Sequence, residues 1–175
     1  GIELLKPSQL DPLRTTTFGT GELIKAAAQK GAEKIYLAVG GSATVDGGVG
    51  AAMALGWRFL DQAGEDIALG GNALGNINKI IAPPHLRLPP VEVLCDVENP
   101  LLGGNGAARV FGPQKGADAE MVELLENNLA HLAAVVRDQL GKEINIAGGG
   151  AAGGLSAGSL AFFNASFVSG IQTII

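Results

Sequence analysis

Residues 34–50, KIYLAVGGSATVDGGVG, join a strand to a helix through a glycine-rich turn. Ile35–Val39 is a short run of β-branched and aromatic residues, which predicts a buried strand. The run breaks into Gly40–Gly48, after which a helix is predicted. A strand, a glycine turn and a helix N-terminus in succession present unpaired backbone N–H groups and the positive end of a helix dipole. The stretch therefore predicts a binding site for an anion, either a phosphate or a carboxylate.

The same turn carries side chains that suit an anionic or hydroxylated ligand. Ser42, Thr44 and Asp46 lie within five residues, so two hydroxyls and a carboxylate can point at one volume. The backbone of Gly40 and Gly41 would supply donors to the same ligand. The turn is not a Walker A loop, because it lacks the terminal Gly-Lys-Ser/Thr, and it lacks the dinucleotide glycine spacing. A helix cap is the alternative interpretation of Asp46.

Composition excludes several classes of protein. With 47% apolar and 17% charged residues, the chain has the apolar content of a globular protein and not of a disordered one. A net charge of -5 without a Lys/Arg cluster argues against a nucleic-acid partner. No apolar run reaches the roughly 18 residues that cross a bilayer, and no signal-peptide pattern is present. A single cysteine, Cys95, cannot form an internal disulfide, which fits a cytoplasmic location.

The pattern of helices and strands predicts one α/β domain over residues 1–175. Helices are predicted at about 22–30, 119–140 and 155–163, and another helix, capped by Asp46 or Thr44, is predicted to reach about Leu55; strands are predicted at 35–39, 57–60, 77–82 and 91–96. Thr20 is the predicted cap of the first helix, and Asp118 and Gly141 bound the third. Strands that alternate with helices predict a layered sheet flanked by helices. The missing initiator methionine and the apolar end at 170–175 indicate a piece of a longer protein.

Two charged residues outside the turn are further candidates for the site. Asp96 follows the predicted strand 91–96, and open α/β sheets bind ligands beyond the carboxyl ends of their strands. It could bind Mg²⁺ or accept a proton from a substrate hydroxyl, or it could simply form a turn. Lys115 lies in the turn FGPQKG, residues 111–116, whose glycines and proline would fix its backbone. It is either a cation that faces a phosphate or a solvated surface charge.

Five segments of the chain form a characteristic ordered set: residues 15–24, TTTFGTGELI; 40–48, GGSATVDGG; 95–101, CDVENPL; 111–117, FGPQKGA; and 150–154, GAAGG. Together they resemble the bacterial glycerate kinase family of the first type. All five occur in the order of the family, and they cover the chain from end to end. Val45 departs from the pattern, because the family usually has asparagine there, and the change removes a polar group from the turn.

The resemblance implies the middle of a longer family chain. The N-terminal Asp-Ser-Phe-Lys-Gly-Ser and Asp-Gly-Gly-Glu-Gly motifs and the C-terminal Thr-Gly-Glu-Gly motif of the family do not occur here. The family builds this part as a second α/β domain inserted into a Rossmann-like one, with the active site between the two. The chain would then lack most of the Rossmann-like domain, and we expect it to be inactive alone.

The implied reaction is transfer of the γ-phosphoryl group of ATP to a hydroxyl of D-glycerate, with Mg²⁺. The expected catalytic residues are Asp46, Asp96 and Lys115, with Asp96 also a metal ligand. The expected substrate- or phosphate-binding residues are Gly40, Gly41, Ser42, Thr44 and Asn99. Two alternatives stay open: a structural or oligomerising domain, for example in a homodimer, and a binding module for another phosphorylated or nucleotide ligand.

Overall fold

A three-stranded parallel sheet carries the glycine turn, as seen in a computed structural model that describes residues 1–169. The strands are β1 Ile35–Ala38, β2 Arg58–Leu60, β3 Lys79–Ile81, β4 Val91–Leu94 and β5 Ser166–Val168. The helices are α1 Phe18–Gln29, α2 Val49–Ala54, α3 Ala107–Phe111, α4 Ala119–Leu140 and α5 Leu155–Phe163. Short 3₁₀ turns lie at Ile2–Leu4, Pro7–Gln9, Gly71–Asn76, Pro113–Lys115 and Ala151–Gly154. The predicted fold class, an α/β sheet flanked by helices, is confirmed.

The sheet order is β1-β4-β5, with all neighbours parallel, while β2 and β3 form a separate antiparallel pair. In register, Ala38 of β1 lies beside Leu94 of β4, and Leu94 lies beside Val168 of β5. The chain leaves β1 into Gly40 and leaves β4 into Asp96. The two predicted candidate segments therefore meet at one edge of the sheet, because the carboxyl ends of parallel strands share an edge.

The α4 and α5 helices lie where the sequence predicts them. The α4 helix runs from Ala119 to Leu140, and the Asp118 carboxylate accepts a hydrogen bond from the Met121 amide at 2.8 Å. Gly141 ends the helix at φ 65°, a conformation that glycine adopts without a steric penalty. Apolar residues at spacings of three and four give α4 one buried face, which explains the accurate prediction. This face consists of Val122, Leu125, Leu129, Leu132 and Val136.

Three parts of the prediction were wrong. The α1 helix begins at Phe18, after Thr17, and not beyond a Thr20 cap. Its start is fixed by contacts of Thr17 with Asp46, which lies 29 residues away in sequence. The short helix α3 and the strand β5 were not predicted, since five and three residues give too little periodicity to recognise. The predicted apolar segment 170–175 lies outside the described residues.

Aromatic packing closes the core on the side of the antiparallel pair. Phe162 of α5 makes edge contacts with Phe59 and Trp57, with ring centroids 5.2 and 5.1 Å apart. Such pairs add about 1 kcal/mol to the area that they bury. Within residues 1–169, no helix combines the length and the apolar character needed to span a bilayer.

Candidate functional site

A cavity of about 460 Å³ opens at the carboxyl edge of the parallel sheet. Its lining includes Gly40, Gly41 and Ser42 from the glycine turn, Asp96 from beyond β4, and Lys115 from the 3₁₀ turn before α4. These segments are up to 75 residues apart in sequence, as Gly40 and Lys115 are. The structure thus brings together five of the predicted site residues around one hollow.

The turn above this cavity offers free backbone donors. Within residues 1–169, the N–H groups of Gly40, Gly41 and Ser42 donate to no protein acceptor. Gly41 has φ 64°, so the turn uses a conformation that favours glycine. Consecutive unpaired N–H groups of this kind can bind an oxyanion, and binding of an anion at this turn stays a prediction.

Lys115 is almost fully buried, with only 1% of its surface exposed. Its Nζ donates to the Ser42 hydroxyl at 2.8 Å and to the Thr44 carbonyl oxygen at 2.7 Å. The following residue, Gly116, has φ 96° and packs against Leu10, which fixes the backbone at the base of the lysine. The interpretation of Lys115 as a solvated surface charge is therefore wrong, because the amine is held beneath the glycine turn.

Burial changes the acid–base behaviour of this amine. Desolvation lowers the pKa of Lys115 to about 8, while the negative charge of Asp46 acts in the opposite direction. An ammonium in this position is available as a counter-charge at neutral pH. It can also lose its proton within the physiological range.

The lowered pKa of Lys115 predicts a stability that rises with pH. Between pH 8 and 10.5 the unfolded chain binds a proton at Lys115 that the folded chain does not, so the free energy of unfolding increases with pH. From pH 7 to pH 10 the increase is about 2 to 3 kcal/mol. Urea unfolding followed by Trp57 fluorescence will measure it. Lys115→Met should lack the rise, and an identical pH profile in both proteins would contradict the assignment.

Asp46 is the centre of a buried hydrogen-bond network. Its carboxylate accepts from the Thr16 hydroxyl, from the amide and hydroxyl of Thr17, and from the amides of Gly48 and Gly50, at 2.8 to 3.3 Å. The two hydroxyls each accept a backbone N–H themselves, so their own protons are directed at Asp46. Five donors around one group fit an ionised carboxylate.

The position of Asp46 is close to the alternative interpretation given by the sequence, because its carboxylate accepts from the amides of Gly48 and Gly50 at the start of α2, although the N-cap residue itself is Gly48. Asp46 is completely buried and lines neither cavity beside the glycine turn. Burial raises the pKa of the Asp46 carboxyl, while the hydrogen bonds from Thr17, Gly48 and Gly50 act in the opposite direction. The carboxylate therefore joins three segments and does not reach a ligand in the cavity.

Gly50 allows this network to form, which gives a direct test by substitution. A Cβ at Gly50 would overlap the Thr16 hydroxyl and press on the Asp46 carboxylate, whereas a Cβ at Gly19 in α1 would meet nothing within 4 Å. We expect Gly50→Ala to lower the free energy of unfolding by about 2 kcal/mol. Gly19→Ala should instead raise it by up to about 1 kcal/mol through helix propensity. Urea midpoints measure both, and equal effects would contradict the network.

A second cavity, of about 420 Å³, is also lined by the glycine turn. Thr44, Thr15 and Thr20 line it, together with Gly40–Ser42, which both cavities share. The Thr15 hydroxyl donates to the Ala43 carbonyl oxygen at 2.6 Å and so ties the threonine segment to the turn. The glycine turn therefore borders both cavities.

The remaining predicted residues differ in whether they line a cavity. Asp96 is exposed at the cavity rim, where its carboxylate accepts from the Ser169 hydroxyl at 3.0 Å. Asn99 lines neither cavity, and its side-chain amide donates to the Asn105 carbonyl oxygen at 2.9 Å. The Val45 side chain is buried in the core, so it presents no group to a ligand.

Three residues of the site, Thr16, Thr17 and Gly153, were quoted in the sequence but given no role there. Thr16 and Thr17 hold Asp46, and the signal for them was the threonine run 15–17 before a helix. Gly153 accepts from the Gly47 amide at 3.1 Å and has φ 65°. A side chain there would overlap the Thr44 carbonyl. The glycine-alanine segment therefore supports the turn from behind, which its composition alone could not show.

The donor set can be compared with the demands of a divalent cation. Among residues 1–169, no three His, Cys, Asp or Glu side chains converge as a metal cluster would. Asp96 is an acidic residue at the cavity rim. Mg²⁺ commonly binds one or two carboxylates together with substrate phosphates. The residues present therefore fit a cation that arrives with a phosphorylated ligand.

The chain is similar to known proteins of one family. Residues 1–175 match the glycerate kinase family. The chain is 46% identical to glycerate 2-kinase of Escherichia coli K12, over 99% of this chain and 47% of the relative. It is 43% identical to glycerate kinase of Halalkalibacterium halodurans, over 100% of this chain and 47% of the relative.

A solved structure of glycerate kinase 2 from Salmonella typhimurium LT2 superposes with a TM-score of 0.94 at 45% identity. The match covers 99% of this chain and 48% of that chain. The chain thus spans about half the length of the curated relatives it matches. The resemblance drawn from the five motifs is confirmed, and the chain belongs to the glycerate kinase family.

Proposed function

We propose that this chain forms one side of the active site of a kinase that transfers the γ-phosphoryl group of ATP to a hydroxyl of D-glycerate. The observation that carries the proposal is the buried Lys115 amine, bonded to Ser42 beneath a turn with free backbone donors. Phosphoryl transfer depends on positioning and charge neutralisation more than on covalent help. The groups around this cavity are suited to both positioning and charge neutralisation.

The glycine turn is the proposed holder of the anionic group. The free N–H groups of Gly40, Gly41 and Ser42 would bind the carboxylate of glycerate or a phosphate of ATP. Thr44 would contribute a hydroxyl from the second cavity. Because these donors belong to the backbone, they are fixed in place before the ligand arrives, which reduces the cost of reorganisation.

Lys115 is the proposed counter-charge for the transferred group. Its ammonium lies at the floor of the cavity, where low solvent exposure strengthens its attraction for an anion. Asp96, at the rim, would accept the proton of the glycerate hydroxyl or hold Mg²⁺ together with the phosphates. When bound, Mg²⁺ would neutralise negative charge on the phosphate oxygens.

For Asp46 we propose a positioning role in place of the catalytic contact expected from the sequence. It joins the Thr16–Thr17 segment to the start of α2, and its charge favours the protonated form of Lys115. For Asn99 we propose that it shapes the loop after β4, since its side chain bonds to Asn105. Binding of substrate by Asn99 stays a prediction without a contact to support it.

A chain of about half the length of its relatives would supply only part of the cleft. We therefore propose that the 175 residues are one domain of a two-domain kinase and are inactive alone. A cytoplasmic location and a homodimer likewise stay predictions.

A chimera tests the proposed function. The matching segment of E. coli glycerate 2-kinase would be replaced by this chain, and ADP release would be followed with D-glycerate and ATP. Turnover by the chimera, and none by the 175 residues alone, supports the proposal. A chimera that unfolds cooperatively but shows no turnover contradicts the proposed function. Turnover by the 175 residues alone would contradict the proposal that they supply only part of the cleft.

Calorimetric titrations of the 175-residue chain separate the alternatives. Binding of D-glycerate or ATP supports the kinase interpretation. Binding of another phosphorylated or nucleotide ligand alone favours a different binding module. No binding of any of them favours a structural domain.

A further inference from the structure

The contact between Ser42 and Lys115 also suits proton transfer between the two side chains. The serine oxygen and the lysine nitrogen are 2.8 Å apart, and the serine lines both cavities. A serine hydroxyl becomes a nucleophile when a neighbouring base accepts its proton. Serine–lysine pairs perform this task in some hydrolases.

The surroundings of Lys115 leave its lone pair to the serine. The Thr44 carbonyl oxygen can only accept, so one N–H of the amine donates to it in either protonation state. A neutral amine has one lone pair, and this lone pair can accept the Ser42 hydroxyl proton while one N–H stays bonded to the Thr44 carbonyl. With its pKa lowered to about 8, roughly a tenth of Lys115 is neutral at pH 7.

Other ionisable groups near the pair are few. Asp46 acts on Lys115 through its charge, and Asp96 and Cys95 line the same cavity. The negative charge of Asp46 favours the protonated amine and so limits the neutral fraction. No basic side chain other than Lys115 lines this cavity among the described residues.

The glycine turn supplies the third part of such a site. The N–H groups of Gly40, Gly41 and Ser42 itself are unpaired within residues 1–169. Backbone donors of this kind stabilise the oxygens of a reacting phosphorus or carbonyl centre. A candidate nucleophile (Ser42), a candidate base (Lys115) and the backbone donors for an oxyanion therefore line the same cavity.

We propose that Ser42 and Lys115 form a nucleophile–base pair that makes Ser42 a site of covalent modification by activated phosphoryl and phosphonyl electrophiles. In the step, a bond forms between Ser42 Oγ and phosphorus, and the bond from phosphorus to its leaving group breaks. The hydroxyl proton passes to Lys115 Nζ, and the leaving group departs as an anion. No oxidant or reductant is required.

An alkyl fluorophosphonate tests this proposal on the 175-residue chain, without ATP or glycerate. Intact mass and peptide mapping would follow the adduct, with fluoride as the leaving group. We expect one adduct, on Ser42, with a rate that rises with pH to a plateau and a midpoint near the pKa of Lys115, about 8. Ser8, which is exposed and bonded to no lysine among residues 1–169, is the internal reference.

Variants distinguish the effect of Lys115 as a base from the effect of solvent exposure of the serine. Ser42→Ala should abolish the adduct, and Lys115→Met should slow it by about 100-fold, as expected for loss of a general base. Lys142→Met is the matched control and should label normally, since Lys142 bonds the Leu160 and Ala161 carbonyls away from the cavity. Ser8→Ala should also label normally at Ser42.

Three results would overturn the proposal. They are equal labelling of Ser42 and Ser8 in the wild-type chain, a rate independent of pH, and an unchanged rate in Lys115→Met. The first two need no variant, so the test holds even if Lys115→Met does not fold. The labelling experiment uses no kinase substrate. Labelling of Ser42 can therefore fail while the chimera still phosphorylates glycerate, and labelling can succeed while the chimera is inactive.

Discussion

Replacing Asp46 by alanine is expected to lower the free energy of unfolding by about 4 kcal/mol. The change leaves buried donors without an acceptor, among them the amides of Thr17, Gly48 and Gly50. Each buried and unsatisfied polar group costs about 1 to 3 kcal/mol. It also removes the negative charge that favours the Lys115 ammonium. Urea unfolding, followed by Trp57 fluorescence, measures the loss.

Asp118→Ala is the matched control for this prediction. Asp118 is exposed and accepts one amide, that of Met121, at the start of α4. Loss of such a cap costs about 1 kcal/mol. If Asp46→Ala proved no more destabilising than Asp118→Ala, the carboxylate would not organise the turn, and its proposed positioning role would be wrong.

Replacing Lys115 by methionine in the chimera with the E. coli relative is expected to lower kcat/KM by about 100-fold or more. Methionine has a similar length and no charge, so the buried volume is kept while the counter-charge is lost. Preorganised groups that stabilise transition-state charge are commonly worth factors of about 100 to 1,000. Steady-state kinetics with D-glycerate and ATP measure the effect.

Lys142→Met in the same chimera separates the local effect from a general loss of positive charge. Its amine also donates to two backbone carbonyls, those of Leu160 and Ala161, but outside the cavities beside the glycine turn. We expect its kcat/KM to stay within about twofold. Equal rates for Lys115→Met and Lys142→Met would exclude Lys115 from the reaction.

The sequence predicts well where a single local pattern decides the structure. The α4 helix was bounded correctly, because its apolar spacing, the Asp118 cap and Gly141 all act within a few residues. The strand at Ile35–Val39 was placed to within one residue of β1 for a similar reason. The meeting of Gly40 and Asp96 also followed from local patterns, given parallel strands.

The sequence predicts poorly where distant segments decide the structure. The start of α1 depends on Thr17 contacting Asp46, and the burial of Lys115 depends on Ser42 and Thr44. None of these pairs is close in sequence. The motif of residues 111–117 pointed to Lys115, but only the fold shows that the amine lies beneath the turn and not in solvent.

The two roles expected of Asp46 illustrate this limit. A carboxylate two residues before a glycine at a helix start fits both a ligand contact and a cap, and spacing cannot separate them. Complete burial and five donors support the structural role. The distinction depends on Thr16 and Thr17, which approach from a different part of the chain.

The proposed mechanism depends on the amides of Gly40, Gly41 and Ser42, which are expected to bind the anionic group of the ligand. Proton–nitrogen NMR spectra of the ¹⁵N-labelled chain, recorded during titration with D-glycerate and with ATP, test it most directly. Gly103 and Gly104 lie in another glycine loop, line neither cavity and serve as the internal reference. We predict saturable shifts of the three turn amides with little change at the reference. Saturable chemical-shift changes elsewhere, with the resonances of the three turn amides unchanged, would show that these amides do not bind the ligand.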